Sequence, residues 1–314
     1  MRKASFYLFF LAFGLVASGL FFMMFNHQGD WAFTLSFRGK KLLLLLLVAY
    51  SIGVSTLLFQ TLTNNPILTP SILGFDSLYL LIQTVLVFLL GGIGFASLGI
   101  AEKFAFETSL MLAGSLFLFK LINKENNDLA RMILVGVIFG VFFRSVNNLL
   151  QRMISPEDFA VTQGSSFASF NSANPTLLAI GGIVTLVSAI WIWMQRHQLD
   201  VLLLGRDKAI GLGLDYAKFS YRLLICCALL VSVSTALVGP ILFLGLLVCA
   251  IANALSPVVN HAVRIPMVFL ISAITLILGQ AIFEHLLSMQ GVLSVVIELV
   301  GGLIFIYLML RNSK

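Results

Sequence analysis

Residues 60–76 read QTLTNNPILTPSILGFD and directly follow the apolar run LLLLLLVAYSIGVSTLLF at 42–59. Pro66 and Pro70 stop a helix and push the residues before them into extended or turned backbone. Asn64, Asn65 and Asp76 add polar groups that need water or a partner, and water at the inner membrane face is the simplest expectation. The reading of this stretch depends on what surrounds it.

What surrounds it is hydrocarbon-like. Of 314 residues, 60% are hydrophobic and 10% charged, against about 25% charged in soluble domains, and the mean hydropathy is +1.05. The chain is therefore expected to be an all-α polytopic membrane protein, a single transmembrane domain over 1–314, because the polar gaps are too short to fold independently. The net charge of +6 sits between apolar runs, where topology determinants lie, so nucleic acid is excluded as a partner and the membrane is the expected environment. Cys226, Cys227 and Cys249 lie within apolar runs without CxxC spacing and read as small core residues.

At about 20 residues per span, helices are expected near 5–24, 42–63, 73–92, 105–122, 132–150, 176–195, 221–238, 241–257, 266–287 and 292–310. The first follows Arg2 and Lys3 like a signal peptide, but it is long enough to span and no small-x-small cleavage site follows it. The weakest boundaries fall at 94–107 and at Gly239-Pro240. Of the 19 Lys and Arg, Arg144 falls within a span and Arg38, Lys40, Lys41, Lys103 and Arg152 fall outside, which leaves thirteen on the inner side. That asymmetry predicts both termini inside, N-in/C-in.

Two connections exceed a turn. The outer (periplasmic) loop at 151–175 carries Glu157, Asp158 and several serines; the inner loop at 198–220 mixes Val201, Leu202, Leu204, Ala209 and Leu212 with Arg206, Asp207 and Lys208. The inner loop reads as one or two short helices offering a face to a partner, or as an amphipathic segment on the inner leaflet. No internal repeat is visible.

Enzymatic chemistry has no foothold: there is no GxxxxGK[ST], no HExxH and no nucleophile elbow, and His27, His197, His261 and His285 are scattered. No catalytic or metal-binding residue is assigned. Any ATP must be hydrolysed by another subunit. Buried charges are the notable exceptions, since one at mid-membrane costs about 2.5–3.5 kcal/mol. Glu284 is expected to pair within the bundle; Arg144 and Glu298 fit either such pairing or a pathway or subunit interface. Gly136 and Gly140, in GVIFG, allow helices to approach closely.

Two stretches resemble the permease subunits of bacterial ABC importers for iron-siderophores, haem and cobalamin. In the opening stretch, Gln60, Asn65-Pro66-Ile67 and Pro70-Ser71-Ile72-Leu73-Gly74 are similar to Q, R-N-P-L-A-D-P and S/G-x-L-G. In the inner loop, Leu199 to Gly205, Ala209 and Leu212-Gly213, followed by Arg222, resemble L-N-x-L-x-L-G, A, L-G and R. Gly239-Pro240-Ile241 with Phe243 to Leu246 is similar to G-P-I-x-F-x-G-L, and Gly291-Val292 with Phe305 to Leu308 resembles the family's ending.

The resemblance implies a cobalamin-permease-like subunit of about ten helices that pairs with a second permease, a paralogue or itself, in the bacterial inner membrane. It implies a cytoplasmic gate at Asn65 and Ile67, and ATPase coupling by Leu204, Gly205, Arg206, Ala209, Leu212 and Gly213. Arg38 and Lys41 have the family's spacing for docking a periplasmic or lipid-anchored substrate-binding protein. ATP and Mg would be bound by the partner ATPase dimer, and this chain would need no cofactor. The sequence departs from the pattern at Asn64, at Cys249-Ala250 and at Gln280 and Glu284; the last pair removes an arginine the family uses against the binding protein. The outer loop and the ending IELVGG look like siderophore permeases of the catecholate type. The expected function is ferric-siderophore import by alternating access, against the alternative of an ion-gradient-driven secondary transporter or channel.

Overall fold

The computed structural model describes residues 2–25, 31–122, 129–171, 173–255, 260–285 and 293–312. The predicted segment ends at 256–257, 286–287 and 292, and the Gly291-Val292 motif, lie outside these. Among the described residues there is helix and no strand. The elements are α1 (Arg2–Met24), α2 (Trp31–Thr63), a 3-10 turn (Pro70–Leu73), α3 (Phe75–Ser97), α4 (Ile100–Ile122), α5 (Leu129–Gln151), α6 (Pro156–Ser165), α7 (Pro175–Met194), α8 (Arg196–Leu202), α9 (Arg206–Gly211), α10 (Tyr216–Val238), α11 (Leu244–Leu255), α12 (His261–His285) and α13 (Leu293–Asn312). Seven of these, α1, α2, α3, α5, α7, α10 and α12, are long and apolar enough to cross a membrane.

α2 is the axis of the bundle, with α1, α7, α10, α11 and α12 packed around it. It begins at Trp31, well before the expected 42, and its 33 residues rise about 50 Å, more than the roughly 30 Å hydrocarbon core. Two of the charges that precede the expected start find partners inside the protein instead. The Arg38 guanidinium donates to the carbonyls of Phe22, Met23 and Phe25 at 2.9–3.1 Å, capping α1, and the buried Lys41 ammonium pairs with Glu284 of α12.

α11 is shorter than expected. Instead of a span over 241–257, the described helix has 12 residues, about 18 Å, and is preceded by Gly239 to Ile241 in buried, non-helical backbone. Proline and glycine prevent α10 from continuing. The outer loop contains α6, capped by Ser155, whose Oγ accepts from Asp158 N. Asp158 Oδ1 in turn accepts from Gly92 N at 2.7 Å, an amide freed by the kink of α3 at Gly91. At the same end Ser169 N donates to Val238 O at 2.7 Å and closes the end of α10.

The buried core runs continuously from Phe22 through α2, α10 and α12 to Ile297. All three cysteines are unpaired and buried in it.

Candidate gate and coupling site

Past Thr63 the chain turns through Asn64, at φ +48°, and is then held by α2's own last turn. Gln60 O accepts from Asn65 N at 3.2 Å, the Gln60 side-chain amide donates to Pro66 O at 2.7 Å, and Asn65 Oδ1 accepts from Ile67 N at 3.0 Å. The residues expected at the gate are thus set by Gln60: Asn65 is half-buried and turned onto its own backbone, and Ile67 is 43% exposed. Gln60 was legible as part of the motif but not as its anchor.

Beyond Ile67 the segment returns into the bundle. The turn Pro70–Leu73 and Gly74 seat against the middle of α5, where Gly136 and Gly140 clear the space. Asp76, expected in water, is buried, because this turn carries it into the bundle. It accepts from the Ser71 side chain, and its Oδ2 has no partner among the described residues.

Replacing Gln60 with leucine removes the side-chain donor to the Pro66 carbonyl. Pro66 is exposed, so water can take the donor's place, and the lost bond is worth about 0.5–1.5 kcal/mol. The expected result is a looser loop, measured as faster thiol labelling at Ile67→Cys in Q60L than in the parent; equal labelling would free the loop from Gln60.

The inner loop folds into α8 and α9. Gly205 and Gly213 flank α9 at φ +92° and +86°, left-handed backbone that glycine adopts without strain. Leu199, Leu202 and Ala209 point into the bundle, whereas Leu204, Ile210 and Leu212 are exposed, Leu212 by 63%. Ala209, expected among the partner-facing residues, therefore supports α9 from beneath, and Ile210, absent from the expected set, joins the outward face. Arg206, Asp207, Lys208 and Gly213 are exposed around it, and the Arg206 guanidinium lies 5.8 Å from the Tyr216 ring centroid. Asp215 caps α10 and pairs with Lys218, whose bonds hold its carboxyl below the ordinary carboxylate range.

At the opposite end, neither residue expected to dock a binding protein is unengaged. Arg38 is half-buried on the α1 carbonyls, and Lys41, 3% exposed, presents no charge outward. Glu284 also accepts from Gln280 Nε2 at 2.7 Å, so the two positions that depart from the family pattern build the pocket of Lys41. Glu298 accepts from the backbone of Leu242 and thereby pins the non-helical segment before α11. Arg144 and Asn148 are exposed on α5. Among the described residues no group of three or more His, Cys, Asp or Glu is placed to hold a metal.

A bundle of seven long apolar helices with a two-helix loop at one end has the architecture of a multi-pass membrane protein. The chain belongs to the FecCD transport family, whose model matches residues 4–311. It is 42% identical over 96% of its length to the petrobactin import system permease protein YclO of Bacillus subtilis (strain 168), covering 95% of that protein. It is 35% identical over 85% of its length to the petrobactin import system permease protein FatC of Bacillus anthracis, covering 76% of that one. Its fold is similar to that of a metal-chelate type ABC transporter solved in an inward-facing conformation, with TM-score 0.85, 21% identity and coverage of 98% of this chain and 99% of the other.

Proposed function

We propose that this chain is the membrane-spanning subunit of an ATP-driven importer that carries a ferric siderophore of the petrobactin kind into the cell by alternating access. The observation that carries the coupling is the α8–α9 face: apolar Leu204, Ile210 and Leu212 stand exposed among charges on a loop tied to the bundle through Leu199, Leu202 and Ala209. Such a face fits a groove on a partner, here an ATPase dimer that binds ATP and Mg; the permease itself brings no cofactor and no enzymatic site. The cargo class is supported by the petrobactin relatives.

In this reading α4, α11 and α13 join the seven long apolar helices to make about ten membrane elements, N-in/C-in as the Lys and Arg asymmetry supports, in the cytoplasmic membrane. A second permease packs on the face of α5 that exposes Arg144, because an arginine beside lipid is costly and a subunit interface relieves it. Asn65 and Ile67 gate the inner mouth. A substrate-binding protein docks at the opposite end near Arg38, with Lys41 acting from within the pocket it shares with Glu284.

The test is uptake of radiolabelled iron–petrobactin by proteoliposomes holding the permeases, ATPase and binding protein. Uptake is expected to require ATP hydrolysis; uptake persisting without it would point to the gradient-driven alternative. Leu212→Glu, at an exposed site, is expected to abolish co-purification of the ATPase while the permease still inserts, and a retained complex would remove α9 from the contact.

A further inference from the structure

A polar cluster, buried at His261 and Thr61 and partly exposed at Asp200, lies between the coupling loop and the gate. Asp200 is on α8, and its Oδ1 accepts two hydrogen bonds from the start of α12: from His261 N at 2.7 Å and from His261 Nδ1 at 2.7 Å. Asn260 takes the neighbouring Ala262 amide at 2.8 Å, so the N-terminus of α12 is capped jointly by its own residue and by the coupling helix. A carboxylate there is doubly favoured, by the unpaired amides and by the helix dipole. On the far side of the ring, His261 Nε2 lies 2.9 Å from Thr61 Oγ1 on α2. Thr61 follows Gln60, the residue whose amide holds Pro66.

Asp, His and Thr in this order resemble a nucleophilic triad, but the burial argues against one. His261 and Thr61 are 0% and 1% exposed, and the Thr61 hydroxyl faces the Leu57 carbonyl of its own helix at 2.8 Å. No substrate reaches it.

The hydrogen count shows what the cluster does instead. An ionised carboxylate only accepts, so Nδ1 carries a proton. Thr61 has one hydrogen and two neighbours that can take it, Nε2 and the Leu57 carbonyl. With a neutral ring, Thr61 donates to Nε2; with an imidazolium, Nε2 donates to Thr61 and the hydroxyl hydrogen turns to Leu57. The connection from α8 through α12 to α2 persists in both states.

Resting on the proposed function, we infer that Asp200, His261 and Thr61 form a strut that makes the inner ends of α2 and α12 follow the coupling helix α8. His261 and Thr61 are positioning residues: they carry displacement of the ATPase-facing loop to Gln60 and so to the Asn65–Ile67 turn. Leu199 and Leu202 also hold α8 to the bundle, but apolar contacts are non-directional and allow sliding, whereas hydrogen bonds fix both distance and angle. The strut adds direction to a contact that packing alone would leave loose.

The decisive variant is Thr61→Val, near-isosteric and lacking the hydroxyl, compared with Thr61→Ser, which keeps it. In proteoliposomes holding the complete importer, T61V is expected to keep ATPase association and hydrolysis while transporting about two- to thirty-fold less chelate per ATP, the range for variants along a coupling network. T61S is expected to restore the ratio. His261→Asn, which keeps a donor near Asp200 but no longer reaches Thr61, should reproduce the loss by an independent change if T61V assembles poorly. A wild-type importer with ATP-driven uptake, and variants with an unchanged transport-to-hydrolysis ratio, would overturn the strut alone. Wild-type uptake indifferent to ATP would overturn the transport reading and the strut with it.

Discussion

Replacing Lys41 with methionine is expected to cost about 3–5 kcal/mol, the usual effect of breaking a buried ion pair by removing one partner. Glu284, 9% exposed at its side chain, would be left without its cation in an apolar surrounding, with the Gln280 amide as its remaining described partner. The same holds in reverse for Glu284→Gln, which strands the ammonium. The double variant Lys41→Met with Glu284→Gln removes both charges, keeps the shape and retains an acceptor for Gln280, so most of the stability should return. The measurement is the thermal unfolding midpoint of the detergent-solubilised chain in a double-mutant cycle; two single losses that simply add would show that the pair is not coupled. The cycle also separates folding from docking. A folded double variant that binds the substrate-binding protein normally would leave Lys41 a purely internal role.

Gly74→Ala is expected to be strongly damaging. The backbone there sits at φ +85°, and a Cβ would lie 2.7 Å from Gly140 Cα and 3.0 Å from Gly140 N. The left-handed conformation costs an L-residue about 1–2 kcal/mol, and forcing extra volume into packed space adds about 1–3 kcal/mol. Neither neighbour can yield, because both atoms are backbone. The expected outcome is a sharp fall in folded protein recovered from membranes, whereas Gly211→Ala, at a residue with open space around its Cβ position, should be nearly silent. Equal recovery of the two would mean that the Pro70–Gly74 turn does not seat on α5.

Much of this molecule was legible from residue patterns because hydrocarbon imposes simple rules. Long apolar runs become helices since backbone groups have no other partner in lipid, and among the described residues each expected segment overlaps a helix, although that in 241–257 is too short for a span. The inner loop was legible as one or two short helices, or an amphipathic segment, from its mixture of leucines and charges, and it folds as α8 and α9. What lay beyond sequence is pairing at a distance. Lys41 and Glu284 stand 243 residues apart, and nothing local distinguishes a lysine that faces a binding protein from one that faces a carboxylate on α12. The same limit hid Asp200, His261 and Thr61, three unremarkable residues on three segments.

The opening stretch marks the division. By itself QTLTNNPILTPSILGFD determined that α2 must stop and that its chain must turn, because proline removes a donor and restricts the residue before it. It also carried the order of motif residues that resembles the permease family. Only the tertiary structure decided the direction of the turn: Gln60 holds Pro66, Gly74 enters the gap left by Gly136 and Gly140, and Asp76 is drawn inward. The reason is that a turn satisfies its own backbone locally, whereas its course through a bundle is set by which distant surface leaves room for it.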